Sequence, residues 1–162
     1  MIFRRKIYQN LRDWKDSTSG EKALLIEGAR RIGKSTIVEE FGKNEYRSYL
    51  MIDFNDASDM VFSAFDQYLN DLDTFFMILQ TEYNVVLYPG ESLVIFDEVQ
   101  KFPKARQSIK KLVKDGRYHY IETGSLISIR DNVKNITLPS EERSLKMYPM
   151  DFEEFCEALG ET

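Results

Sequence analysis

Gly28-Ala29-Arg30-Arg31-Ile32-Gly33-Lys34-Ser35 is the stretch on which the fold turns. Two glycines bracket a short loop, and a lysine and a hydroxyl residue follow at once. Glycine tolerates the positive φ angles that let a backbone curl until successive N–H groups face one anion. A helix starting near Lys34 adds its positive dipole end. The lysine ammonium suits the β- and γ-phosphates of a nucleotide, and the Ser35 hydroxyl is a hard oxygen fit for Mg²⁺. In a chain of this size the spacing would arise by accident on the order of half a per cent of the time. It also lies between an apolar run and a helical pattern, where a phosphate-binding turn belongs.

Working outward, Ala23-Leu24-Leu25-Ile26 is a continuous apolar run, as expected of a strand covered on both faces. Residues 5–15 carry Ile7, Leu11 and Trp14 at helical spacing, and 16–20 read as a loop. Downstream, 35–41 reads as a helix, and Tyr49–Ile52 as a second strand running to Asp53. Residues 56–66 and 69–83 read as helices, the latter striped by Leu72, Phe75, Phe76, Leu79 and Tyr83. Leu93–Phe96 is a third strand. Pro103 opens a helix through Lys114, Gly116 ends it, and Tyr118–Thr123 is a fourth strand. Residues 126–143 show no steady period. A fifth strand is expected over Ser144–Tyr148, then a helix over 151–159 with a capping-box-like start at Asp151 and Glu154. The alternation predicts an α/β fold, a parallel sheet between two layers of helices.

The third strand ends in Asp97-Glu98. Four apolar residues closed by an acid have the form of a Walker B strand, whose aspartate lies near the metal. Asp97 takes that role here, with Ser35. Glu98 is the type of carboxylate that orients or deprotonates an attacking water. In P-loop proteins carrying such a glutamate, another strand lies between the two motif strands, and the one ending at Thr123 is the natural candidate. Thr123, with Ser125 as runner-up, is then expected to sense the γ-phosphate. No Asn/Thr-Lys-x-Asp guanine-reading motif is present, so ATP is the expected nucleotide.

Gly28-Ala29-Arg30-Arg31-Ile32-Gly33-Lys34-Ser35, Phe96-Asp97-Glu98-Val99-Gln100, Thr123-Gly124-Ser125 and Met147-Tyr148-Pro149-Met150-Asp151-Phe152-Glu153-Glu154-Phe155 occur in this order. Together they resemble the prokaryotic AAA-like ATPases whose ATPase module is followed by a further domain of unknown function. The resemblance spans about Arg5 to Gly160. It implies a three-layer P-loop sandwich with a parallel five-stranded sheet of order 5-1-4-3-2, and ATP with Mg²⁺ as ligands. By position it implies that Lys34 and Ser35 are the phosphate and metal residues, Asp97 the Walker B acid and Glu98 the catalytic acid. The site expected from the residues is then Gly28, Ala29, Arg30, Arg31, Ile32, Gly33, Lys34, Ser35 and Thr36 for the phosphates, Ser35 and Asp97 for the metal, and Glu98, Lys34 and Thr123 for catalysis, with Arg30 and Arg31 open between a phosphate contact, a neighbouring subunit and a solvated surface. Arg31 stands where a glutamine is expected. The resemblance also implies one AAA-like ATPase domain over 1–162, with an N-terminal helix at 5–15 and a core at 22–148, in a protein continuing past Thr162.

Composition agrees with one globular domain: 43% hydrophobic and 30% charged residues. A net charge of −5 argues against non-specific nucleic-acid binding as the main task. A basic helix at 104–114, with Lys104, Arg106, Lys110, Lys111 and Lys114, keeps a nucleic-acid adaptor as the weakest reading, against a solvated helix face. The lone Cys156 forms no intramolecular disulfide, which points to the cytoplasm. No apolar stretch is long enough to span a membrane. His119 has no second His or Cys nearby and is expected to be structural. Arg130 and Arg143 are candidate arginine fingers. Expected function is Mg²⁺-dependent ATP hydrolysis. The alternative is a slow switch that reports nucleotide occupancy to a C-terminal domain or partner protein, with oligomers possible in either case.

Overall fold

A computed structural model of the protein describes residues 6–18, 21–28, 33–125 and 142–146. The elements run α1 (Lys6–Thr18), β1 (Ala23–Glu27), α2 (Lys34–Glu45), β2 (Ser48–Asp53), α3 (Asp59–Gln67), α4 (Leu72–Tyr83), β3 (Ser92–Asp97), α5 (Pro103–Asp115), β4 (His119–Gly124) and β5 (Glu142–Lys146). A one-turn 3₁₀ helix, Val99–Lys101, joins β3 to α5. The strands form one sheet in the order β2-β3-β4-β1-β5, and all four pairings are parallel. Read from the other edge this is 5-1-4-3-2, the expected order.

Period-2 alternation explains how each unbroken apolar run serves both faces. Leu24, Ile26, Leu93, Ile95 and Ile121 point to one face and pack with Ile7, Leu11 and Trp14 of α1 and Ile37, Val38 and Phe41 of α2. Ala23, Leu25, Val94, Phe96 and Tyr120 point to the other, against α3, α4 and α5. That second core is aromatic: Phe65 meets Phe75, Phe96 and Phe102 edge-on. Each fully buried side chain of this kind contributes about 1.5–3 kcal/mol.

Several boundaries differ from the sequence reading. α1 continues through Thr18, whose hydroxyl donates to the Trp14 carbonyl at 2.7 Å, so residues 16–18 are helix and not loop. α3 and α4 each begin three residues later than expected, because Ser58 accepts from the Val61 amide and Asp71 from the Thr74 amide. β5 lies two residues earlier, at Glu142–Lys146. The helix expected at 151–159, Cys156 and Arg130 lie outside the described residues.

Candidate nucleotide site

β1, β3 and β4 all end on one rim of the sheet, the carboxyl rim where open parallel sheets take their ligands. Lys34 begins α2 at this rim. Gly33 caps the helix with φ 89°, a left-handed conformation that glycine adopts without strain, and no side chain closes the turn. The first-turn amides of α2 thus have no side-chain acceptor at the cap. Lys34, only 4% exposed, reaches back across the loop and donates to the Gly28 carbonyl at 3.0 Å. The Gly28 amide is fixed to the Gly124 carbonyl at 3.2 Å, tying the start of the loop to the end of β4. Ala29, Arg30, Arg31 and Ile32 lie outside the described residues.

The same alternation that splits the core also places the acids. Asp97 follows Leu93 and Ile95, and Thr123 follows Ile121, so both fall on the α2 face of the sheet. There the Ser35 hydroxyl donates to Asp97 Oδ1 at 2.7 Å and the Thr123 hydroxyl donates to the same oxygen at 2.6 Å. Ser35 and Asp97 are 62 positions apart in sequence and in direct contact in the fold. Burial pushes the Asp97 carboxyl above the ordinary carboxylate range. The two hydroxyl donors pull it down, and the neighbouring carboxylates of Glu98 and Asp53 push it up again.

Glu98 breaks the alternation. Its φ of 58° and ψ of 50° are left-handed, costing a non-glycine residue about 1–2 kcal/mol, and this turn ends β3. A continued strand would carry the side chain to the Phe96 face, away from α2. Instead Glu98 lines a cleft of about 310 Å³ together with Gly33, Lys34, Ser35 and Thr36. Three bonds hold it. Its amide donates to Thr123 Oγ1 at 3.1 Å, its carbonyl accepts from the Lys101 amide at 3.0 Å, and its Oε2 accepts from Gln100 Nε2 at 2.5 Å.

Thr123 therefore touches both acids and is fully buried, so its hydroxyl is spent on Asp97 and Glu98. Ser125, its runner-up, is also buried. Gln100 has no role assigned by the sequence. Its only local signal is a glutamine two residues after the acid pair, and no period or spacing rule marks it.

The sequence matches the protein family described as an AAA domain over residues 20–156, most of the chain. The chain belongs to that family. No curated protein matches it. As an AAA domain, the chain is a nucleotide-binding module of the P-loop ATPase kind. Its described residues contain no helix long and apolar enough to cross a membrane, and no cluster of three metal-binding side chains.

The basic helix of this AAA domain is less free than its composition suggests. Arg106 is buried at 4% exposure, the Lys104 ammonium pairs with Asp66, and Lys111 donates to Asn70 at 2.5 Å. Both partners lie at the end of α3 or just after it. His119 sits in β4 with its ring against Trp14 and Tyr46, and serves packing there.

Proposed function

We propose that this AAA domain binds ATP with Mg²⁺ and hydrolyses the terminal phosphoanhydride in the cleft at the α2 N-terminus. The observation that carries the reading is the Ser35 hydroxyl bonded to Asp97 Oδ1 at 2.7 Å, beside a cleft that Lys34 and Glu98 line. A hydroxyl and a carboxylate in contact are the hard oxygens with which nucleotide sites hold Mg²⁺, the phosphates and waters filling the remaining positions. When bound, the ion would neutralise charge on the transferring phosphoryl group.

In this reading residues 28–36, Gly28 to Thr36, cradle the phosphates through main-chain N–H groups, Arg30 and Arg31 among them. Lys34 neutralises the β- and γ-phosphate oxygens. Glu98 orients a water whose oxygen attacks the γ-phosphorus. The bond to the β-phosphate bridging oxygen breaks, and Glu98 takes the water's proton. Thr123 serves the γ-phosphate end through the two acids it bonds.

The lone cysteine supports a cytoplasmic setting, and the second reading, supported by the family resemblance, is a slow switch that reports nucleotide occupancy to a C-terminal domain or a protein partner. The test is titration of ATP with Mg²⁺ into wild type, Lys34→Ala and Glu98→Gln, alongside phosphate release. Lys34→Ala is expected to lose most ATP affinity. Glu98→Gln is expected to keep ATP binding while phosphate release falls by about 10²–10⁴-fold. Undiminished hydrolysis by Glu98→Gln would overturn the assignment. Slow wild-type turnover with an ATP-dependent change in assembly state would favour the occupancy switch.

A further inference from the structure

We propose that Gln100 is a positioning residue for Glu98, holding one carboxylate oxygen so that the other faces the cleft. The inference rests on the ATP-hydrolysis reading above and adds a residue to it.

Three observations carry it. First, the two side chains are in direct contact: Gln100 Nε2 donates to Glu98 Oε2. Glu98 Oε1 takes no hydrogen bond among the described residues, and Glu98 lines the cleft with Lys34, Ser35 and Thr36. Second, Gln100 is buried, at 9% exposure, beside Val99 in the 3₁₀ turn. An apolar residue would fill that place without the desolvation penalty of an amide, so packing alone does not select glutamine. Third, the two side chains meet only because of the turn. Residues two apart on a regular helix do not face each other, and on a strand they would lie on one face, that of Phe96. The left-handed Glu98 backbone folds its side chain back toward the 3₁₀ turn, where Gln100 is waiting. Thr123 fixes the Glu98 backbone from the β4 side, and Gln100 fixes its carboxylate.

A general base must stand at a set distance and angle from the attacking water, and a displacement of about 1 Å costs about 10²-fold in rate. An unheld glutamate on a flexible stem would sample several rotamers, few of them productive. Gln100 removes that freedom without touching nucleotide.

Gln100→Met keeps the volume and loses the donor. It is expected to lower kcat for ATP hydrolysis by about 10- to 100-fold while the ATP Kd stays within about twofold. Gln100→Leu also loses the amide donor at similar volume without adding a charge beside Glu98, and is expected to show the same split, so the test survives if the Met variant folds poorly. In a Glu98→Gln background, Gln100→Met is expected to cause little further loss of kcat, because the proposed role in hydrolysis runs through the Glu98 carboxylate. Unchanged kcat in both Gln100 variants, parallel weakening of ATP binding, or a full additional loss in the Glu98→Gln background would each overturn the proposal. If Glu98→Gln abolishes turnover and Gln100→Met does not alter it, only the role of Gln100 falls. If Glu98→Gln hydrolyses ATP normally, the reading of Glu98 falls and takes this one with it.

Discussion

Thr123 joins the two acids with one hydroxyl, donating to Asp97 and accepting from the Glu98 amide. Replacing it by valine keeps the shape and removes both bonds. The Glu98 amide then loses its acceptor, which costs about 1–3 kcal/mol, and the left-handed turn loses one of its three anchors. Thr123→Val is therefore expected to lower unfolding free energy by that amount in denaturant melts and to slow hydrolysis, while Thr123→Ser stays close to wild type. A Thr123→Val protein as stable and as active as wild type would refute the bridging role. At this scale the sequence was partly legible. Lys34, Ser35, Asp97 and Glu98 stand in motifs whose spacing encodes their chemistry. Gln100 and the bridging of Thr123 were not legible, because each depends on a contact that no local pattern signals.

α2 carries the loop's lysine and serine, so its seating on the sheet sets the site. That seating is tight at Gly42. A Cβ there would meet Tyr49 Cβ at 3.0 Å and Leu93 Cδ2 at 3.4 Å, atoms of the strands beneath the helix. Two effects oppose each other in Gly42→Ala. Helix propensity gains about 1 kcal/mol. Overpacking against a Cβ that cannot swing away costs about 1–3 kcal/mol. The clash wins, and a net loss of about 1 kcal/mol in thermal or denaturant unfolding is expected; a stabilised Gly42→Ala protein would show that helix and sheet have room to part. Helix identity was legible here from the 3.6-residue stripe. Exact starts were less so, since Ser58 and Asp71 define α3 and α4 only through the amides they cap.

Across the whole molecule, α1 is latched to the sheet on the face that α2 shares. Trp14 donates to the Lys22 carbonyl at 2.9 Å and stacks edge-on to His119, which shares a 2.8 Å hydrogen bond with Tyr46. Burial holds the His119 ring below its ordinary value of 6.5, and the nearby Lys15 ammonium adds to this. The unfolded chain therefore takes up a proton first as pH falls through 6.5, so stability is full above that value and declines below it. Asp97, raised by burial, acts in the opposite sense, but it does so equally in a His119 variant. His119 is the only histidine. The fall in Tm from about pH 7.5 to about pH 5.5 is expected to be smaller in His119→Phe than in wild type; equal falls would remove His119 from the account. The amino-acid sequence by itself determined the parallel α/β class, the phosphate loop and the acid pair, because hydrophobic period and motif spacing are local properties of the chain. Only the tertiary structure decided that the Ser35 hydroxyl bonds Asp97 Oδ1 directly, that Thr123 is consumed between the acids, and that Gln100 grips Glu98. Those pairings depend on strand order, on which face each side chain takes, and on one left-handed residue, and none of these is a property of neighbours in sequence.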